Sequence, residues 1–555
     1  MIIYTQGHSY LYECEKICRI FFPLEKIIFS DTLPDGSAAT EIGSSATEKG
    51  SSATENGNCA IETGSTERGA SSCPGGVLHS SAHEGDGIST HPDNGSPAGA
   101  GSSESPSVRR IFTVERQNGD ETEYFCRAEI DGKTAENGFC VPPHSPDKGI
   151  PDGEKQLAKA MVRVLSGITG TVPPWGILTG VRPSKLMRRL AEKTGDENAR
   201  SLFVNEYLVS PEKASLALSV ASVQKRAVAL NTPDSFSLYI SVPFCPTRCS
   251  YCSFVSHSIA SAKKLIPEYI RLLCREIEMC AEMAKDSGLH LETVYIGGGT
   301  PTSFTAGELK TVTDALTRSF DMRSVREFTV EAGRPDTVDR EKLVVLKNAG
   351  VTRVSINPQT FSDEVLKNIG RPHTGNDAVE KYLLAREVGF DSINMDFIAG
   401  LPGDTYESFK ASIEKAVELS PDNITVHTLA LKRSANIVTE HETENVCRDT
   451  ARMTDFSQQL LTKEGFLPYY MYRQSKSIGN LENIGWCKPD KECLYNIYMM
   501  EELHSVVACG GGAVTKLVTP GGERVERIYN FKYPYEYINR FDEQISRKQK
   551  SGLRI

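Results

Sequence analysis

From Ser237 onward the chain alternates between short apolar runs and longer segments of helical periodicity, and this alternation constrains the fold more than any other feature. Candidate strands are Ser237–Phe244, Thr293–Gly297, Glu327–Glu331, Thr352–Asn357, Ser392–Ile398 and Asn423–Leu429. Helical patterns separate them at Ala262–Met283, Ala306–Ser319, Asp339–Asn348, Asp377–Val388 and Tyr406–Leu419. In the second of these, Leu309, Val312, Thr313 and Leu316 fall at helical spacing. Strands that alternate with helices are parallel and joined by right-handed crossovers. Six such strands fit an incomplete (β/α)6 barrel better than a closed eight-stranded one, with the chemistry at the C-terminal ends of the strands.

The rest of the chain must form further domains, because 555 residues exceed what one hydrophobic core serves. Residues 1–32 read as strand, helix, strand, and Arg110–Val114 pairs with Glu123–Ile130 around the turn Gln117-Asn118-Gly119-Asp120. Between them, Gly36 to Gly57 repeats a seven-residue unit (GSAATEI, GSSATEK, GSSATEN) that offers no apolar stripe to bury. Such a segment cannot offset its ordering entropy, so 34–107 is expected to be a disordered insertion in a small α/β N-terminal domain spanning 1–33 and 108–232. The helical region Gly153–Leu230 is broken at Val172–Pro183 (VPPWGILTGVRP). The barrel core is expected over 233–435 and a mixed α/β C-terminal domain over 436–555.

A formal net charge of -10 argues against a general nucleic-acid binder, which would show a basic face. Apolar runs fall far short of the ~20 residues of a membrane span. Glu13, Glu15 and Lys16 interrupt the N-terminal stretch, which therefore does not read as a signal peptide, and a cytoplasmic location is expected. The fifteen cysteines are then expected to stay reduced, as core residues, metal ligands or reactive thiols.

Three of them stand apart. SVPFCPTRCSYCSF places Cys245, Cys249 and Cys252 just after the first barrel strand, in a C-x3-C-x2-C arrangement. A compact loop with this spacing can turn three thiolates toward one iron–sulfur cluster. A 4Fe-4S cluster needs four ligands, so three cysteines leave one iron open. Structural zinc prefers four protein ligands, and His257 is the nearest fourth candidate. Core packing is commoner for cysteine, but three in eight residues beside Pro246 and Arg248 make a poor core strand. By contrast Cys14/Cys18 and Cys274/Cys280 lie on helical patterns and read as core, while Cys487, Cys493 and Cys509 follow no ligand spacing. Gly297, Gly298 and Gly299 follow a strand and precede a helix, which lets backbone approach a ligand closely. Neither GxGxxG nor a GK[ST] ending accompanies them, which disfavours a phosphate loop.

Five segments resemble the oxygen-independent coproporphyrinogen oxidase group of the radical S-adenosylmethionine (SAM) superfamily, which also includes haem chaperones of the HemW type. They are YISVPFCPTRCSYCSF (Tyr239–Phe254), YIGGGTPT (Tyr295–Thr302), RVSINPQTF (Arg353–Phe361), NMDFIAGLPGDT (Asn394–Thr405) and WGILTGVRPSKL around Trp175. The last, with the tail ECLYNIYMMEE…GGGAVTKLV, is similar to the HemZ-type coproporphyrinogen dehydrogenases. The resemblance implies a 4Fe-4S cluster on Cys245, Cys249 and Cys252, with SAM on its open iron. It implies SAM contacts from Tyr239, Gly298, Gly299, Thr300 and Glu331, with Gln359, Arg371 and Asp396 as further contacts, some serving a second SAM. It further implies that the reduced cluster cleaves SAM to methionine and a 5'-deoxyadenosyl radical. The radical removes hydrogen from a propionate of coproporphyrinogen III, and loss of carbon dioxide leaves a vinyl group while an electron acceptor takes the excess electron, twice over, giving protoporphyrinogen IX.

The expected partners are therefore coproporphyrinogen III or a related tetrapyrrole and an electron donor such as flavodoxin or ferredoxin, with no nucleic acid and no membrane span. Arginine forks bind carboxylates, and Arg334, Arg433 and Arg473 near strand ends are candidates for the substrate's propionates. Where the coproporphyrinogen enzyme carries another cysteine two residues after the triplet, this chain has Phe254, as haem-chaperone relatives do. The alternatives are thus a haem-binding chaperone, with His427 or His504 as axial ligand, and a radical SAM enzyme with another substrate.

Overall fold

The computed structural model describes residues 1–23, 25–32, 109–141, 153–180, 182–252, 254, 257–430, 440–474, 477–519 and 524–553. They fall into two compact units, Met1–Val172 and Pro173–Ile555. The expected insertion at 34–107 lies outside the described residues.

The first unit is an α/β sandwich. It runs β1 (Ile2–Gln6), α1 (Leu11–Phe21), β2 (Ile28–Ser30), β3 (Arg110–Asn118), β4 (Glu121–Ile130), β5 (Lys133–Val141) and α2 (Gly153–Thr169). The sheet order is β2-β1-β3-β4-β5, with β1 parallel to both neighbours and β3, β4 and β5 antiparallel. Asn118 pairs Glu121 across a two-residue turn, and Gly119 takes the positive φ (63°) that such a turn demands. Cys14, Ile17 and Cys18 of α1 and Leu157, Met161 and Leu165 of α2 supply buried side chains.

The second unit opens with α3 (Pro183–Thr194), α4 (Asp196–Asn205) and α5 (Pro211–Leu230). The alternation follows: β6 (Ser235–Val242), β7 (Phe244–Cys245), β8 (His257–Ser258), α6 (Ile259–Ala262), α7 (Ile266–Asp286), β9 (His290–Gly298), α8 (Ala306–Ser319), β10 (Glu327–Glu331) and α9 (Arg340–Asn348). It continues through β11 (Arg353–Ser355), α10 (Asp363–Asn368), α11 (Gly375–Val388), β12 (Ser392–Ala399), α12 (Tyr406–Leu419) and β13 (Asn423–Thr428). The remainder is α13 (Glu440–Lys463), β14 (Leu467–Arg473), β15 (Glu482–Cys487), α14 (Leu494–Glu501), β16 (Ser505–Cys509), β17 (Val514–Val518), β18 (Val525–Tyr529), α15 (Pro534–Asn539) and α16 (Phe541–Ser551).

All six expected barrel strands form, parallel and in the sequential order β6-β9-β10-β11-β12-β13. The helices between them start where side chains cap them: Thr305 and Glu308 close a capping box on α8, and Thr374 and Asp377 close one on α11. The α/β C-terminal region adds to both edges of this sheet and makes it eleven-stranded. β16 lies parallel beside β6 and leads to antiparallel β17 and β18, while β15 and β14 run antiparallel beyond β13.

The compact unit begins at Pro173 instead of near residue 233, and the reason is burial. Met187, Phe203 and Val220 of α3–α5 belong to the same apolar core as Phe236, Val294 and Phe328 of the sheet. Burying those faces against the sheet removes more apolar surface from water than α3–α5 could hide among themselves.

Candidate active site

The parallel strands carry their functional side chains to one end, because residues that end neighbouring parallel strands are brought together by the ladder register. Cys245 closes β7, and Cys249 and Cys252 follow on the loop beyond it. Cys249 is buried and the other two are half-buried. The next strand end supplies Thr300, whose hydroxyl lies 3.4 Å from the Cys245 sulfur and whose backbone N–H donates to the Phe244 carbonyl (2.8 Å). Gly299 N–H donates to the Val242 carbonyl (2.8 Å). A Cβ on Gly299 would lie 2.6 Å from both the Val242 and Phe244 oxygens, so only glycine lets these two loops meet.

Two buried guanidinium groups face the cysteine loop. Arg334, after β10, donates to the Cys249 sulfur (3.5 Å) and to the Thr247 carbonyl (3.3 Å), and a two-pronged pair with Asp336 (2.9 and 3.0 Å) fixes its fork. Arg371 donates to the carbonyls of Gly333 (3.2 Å) and Asn357 (2.7 Å), with the Tyr251 hydroxyl and the Cys249 sulfur beside it.

A wall of carboxylates adjoins them, linked through Asn357. Glu331 ends β10 and accepts from the Tyr295 hydroxyl (2.6 Å). Burial, reinforced by the charge of Asp396, pushes its carboxyl up to about 7 against the opposing pull of the Tyr295 bond. A Cβ on Gly297 would press on the Glu331 carboxyl at 2.9 Å, so the first glycine of the triplet makes room for it. Asp396 on β12 accepts from Asn357 (2.8 Å) and Asn394 (2.7 Å). Burial opposes its charge, but the His427 imidazole, Asn394 and Thr425 hold the carboxyl below its ordinary value. Gln359 is buried with a positive φ of 71°, and its backbone bridges to β12 through the Asp396 carbonyl (2.9 Å). Tyr239, Tyr295 and Tyr495 stack above this wall, with Tyr295 and Tyr495 ring centroids 4.5 Å apart. Burial first, and the Glu331 charge second, raise the Tyr239 phenol, which stays protonated.

Of the eleven residues expected from the sequence, Cys245, Gly298 and Glu331 end strands, Cys249, Cys252, Gly299, Thr300 and Gln359 follow strand ends, Tyr239 and Asp396 lie within β6 and β12, and Arg371 lies between α10 and α11. Sequence reading missed Tyr295, Asn357 and Asn394. The register Tyr239↔Tyr295 and the two-residue step from Asn394 to Asp396 put Tyr295 and Asn394 on the same face as residues already singled out, whereas Asn357 lies past the end of β11.

Other candidates are placed elsewhere. Arg334 is spent on Asp336 and the cysteine loop, so it is not a free fork for a propionate. Arg473 is buried, donating to the Leu178 and Asn480 carbonyls with its fork over the Trp175 ring. Arg433 lies outside the described residues. His504 sits at the start of β16, paired in register with Phe236 through Ser505, at the far end of the strands. Its Nδ1 is 2.9 Å from the Ser237 hydroxyl and its ring stacks on Tyr498 (3.9 Å), so it is a core residue and not an axial ligand. His427 does face the site, but its Nδ1 lies 3.2 Å from the Tyr472 hydroxyl and its Nε2 3.8 Å from Asp396.

Among the described residues, no three His, Cys, Asp or Glu side chains already converge as a metal site. The donor chemistry nevertheless fits an iron–sulfur cluster. Three soft thiols share one loop, two buried guanidinium groups can balance anionic sulfur, and Arg371 Nε and Asn357 Oδ1 are buried without a partner beside them.

The radical SAM superfamily model matches residues 239–416. The oxygen-independent coproporphyrinogen-III oxidase-like protein HemZ of Bacillus subtilis (strain 168) is 37% identical over 416 residues, covering 73% of this chain and 83% of that protein. The heme chaperone HemW of the same organism is 41% identical over 197 residues, covering 35% of this chain and 51% of that protein. Among solved structures, coproporphyrinogen III oxidase (HemN) from Escherichia coli, a radical SAM enzyme, aligns with a TM-score of 0.45 at 22% identity, covering 59% of this chain and 73% of that one.

Proposed function

The chain belongs to the oxygen-independent coproporphyrinogen-III oxidase-like family of radical SAM enzymes, and from that membership we propose that it oxidatively decarboxylates propionates of coproporphyrinogen III to give protoporphyrinogen IX. The observation that carries the reading is the joint placement of the cysteine loop, two buried arginines and the Glu331–Asp396 wall at one mouth of the parallel sheet. Cys245, Cys249 and Cys252 hold the 4Fe-4S cluster. Gly298, Gly299, Thr300, Tyr239 and Glu331 hold SAM, with Gln359, Arg371 and Asp396 as further SAM contacts. Cluster and SAM together supply abstraction of a hydrogen atom from an unactivated carbon, and the protein's part is binding, orientation and exclusion of water. Arg334 and Arg371 lower the cost of gathering negative sulfur in a buried loop. Glu331 and Asp396 complement the cationic end of SAM. The stacked tyrosines give the tetrapyrrole an apolar, water-poor wall.

The test is anaerobic turnover of reconstituted protein with SAM, a reductant and coproporphyrinogen III, following porphyrin products and 5'-deoxyadenosine. Protoporphyrinogen together with 5'-deoxyadenosine supports the assignment. Formation of 5'-deoxyadenosine without a vinyl product sinks the substrate and leaves the chemistry. Loss of the cluster's visible absorption when the three cysteines become alanine is expected, and its persistence would remove the ligand assignment.

A second reading is a haem-binding chaperone, favoured by Phe254 after the triplet, which is 59% exposed, and by the local likeness to HemW. Stable stoichiometric haem binding without turnover distinguishes it from the first.

A further inference from the structure

The proposed chemistry consumes electrons, and among the described residues a face beside the cysteine loop is suited to their entry. His257 pairs in register with Phe244, and Ser258 with Cys245, in the small parallel ladder of β7 and β8. His257 is thus one strand neighbour, roughly 5 Å, from the strand that presents the first cluster cysteine. Its ring meets those of Tyr533 (5.9 Å) and Tyr535 (6.4 Å) edge-on, while the two tyrosines stack on each other at 5.6 Å and 8°. Tyr533 is 36% and Tyr535 46% exposed. Paired tyrosines left in water beside a buried cofactor loop are costly for folding alone and characteristic of a contact surface.

The rim is basic. Lys263 and Lys264 lie, with Leu265, in the 3-10 turn that leads into α7, against which α15 packs through Tyr269 and Tyr537 (4.9 Å), and Lys532 adjoins Tyr533 in the chain. All three lysines are exposed and none has an ion-pair partner among the described residues. On a chain with a formal net charge of -10, such a rim marks a place for an acidic partner.

We propose that the face formed by His257, Tyr533 and Tyr535, rimmed by Lys263, Lys264 and Lys532, docks an acidic flavin-bearing one-electron carrier of the flavodoxin type. The inference rests on the cluster assignment above. The reduced flavin gives up one electron and the oxidised cluster gains it, so the transfer balances without a further reactant. A flavin's exposed ring edge presents the apolar, planar surface that stacked tyrosines suit, which favours it over a carrier whose cluster is hidden under backbone.

The experiment uses the full chain, Lys263→Glu/Lys264→Glu/Lys532→Glu and, separately, Tyr533→Ser/Tyr535→Ser. Anaerobic calorimetry with oxidised flavodoxin measures docking, with ferredoxin as the comparison. Stopped-flow absorbance measures cluster reduction by reduced flavodoxin and by dithionite. The charge-reversed variant is expected to bind flavodoxin at least ~10-fold more weakly, and the parent to lose affinity steeply with salt. The tyrosine variant is expected to slow flavodoxin-driven reduction about 10-fold. Iron content and dithionite-driven reduction stay unchanged in both. Flavodoxin binding and reduction untouched by either variant overturn the proposal, as does a parent that binds ferredoxin alone. If no cluster assembles, the cofactor assignment is what fails, because the calorimetric arm still reads the docking face.

Discussion

Glu331 combines a strand-end position with a carboxyl that burial holds up to about 7. In the unfolded chain it would titrate near 4.5, so the fold binds its proton more tightly than the unfolded state does. The stability it contributes is complete below the unfolded value and is lost as pH rises through about 7. Urea unfolding of the cofactor-free protein should therefore show the parent losing roughly 2–3 kcal/mol relative to Glu331→Gln between about pH 5 and pH 8. A constant difference across that range would mean the carboxyl is hydrated and ordinary. Arg371 gives a second check at this scale. It satisfies two buried backbone carbonyls, Gly333 and Asn357, which a shorter or neutral side chain leaves bare. Arg371→Met is expected to cost about 2–4 kcal/mol in the same unfolding assay, with iron uptake reduced because a cation facing the thiols is gone.

Where elements join, the crossing of β6 and β9 depends on the missing Cβ of Gly299. Gly299→Ala should push the Val242–Phe244 segment away, lower stability by roughly 1–3 kcal/mol and reduce iron per chain after reconstitution. Gly307 in α8 is the control, because a Cβ there meets nothing within 4 Å. Gly307→Ala should be neutral or stabilising by up to about 1 kcal/mol with full iron content. Equal behaviour of the two variants would remove the argument from close approach. The helices and strands of the barrel were legible from periodicity because each buries one face against the next, which writes burial directly into local spacing. The small ladder of β7 and β8 was not, since two-residue strands have no period to read. Nor was the contact between Cys280 on α7 and Cys509 on β16, 3.6 Å apart, since it joins elements more than two hundred residues distant.

For the whole second unit, α5 and the Trp175 segment are pinned to the sheet by one buried polar node. Glu482, buried on β15, accepts from the Lys213 ammonium (2.7 Å), the Trp175 indole (2.7 Å) and Gln458 (2.7 Å). Burial is the largest influence and would raise the Glu482 carboxyl, but the Lys213 charge and the hydrogen bonds from Lys213 and Trp175 together hold it below the ordinary value. Removing one partner strands the other charge, so Lys213→Met is expected to cost about 3–5 kcal/mol, and Lys213→Met/Glu482→Met to recover much of it. Thermal unfolding of the single and double variants checks this, and a mild single variant would show that water reaches the node. Among the described residues no helix is long and apolar enough to cross a membrane.

Local sequence determined the parallel strand–helix alternation, the strand ends and the residues that project from them, because a strand's period and a glycine's steric freedom act within a few residues. It also determined the cysteine spacing, since a loop of eight residues can gather three thiols by itself. Tertiary structure alone decided that Arg334 serves the cysteine loop, that His504 is core, and that β14–β18 extend the barrel sheet at both edges. Those outcomes turn on which distant segment removes a buried charge or a bare sheet edge from water. That competition is settled across the whole chain, and no short window of residues records it.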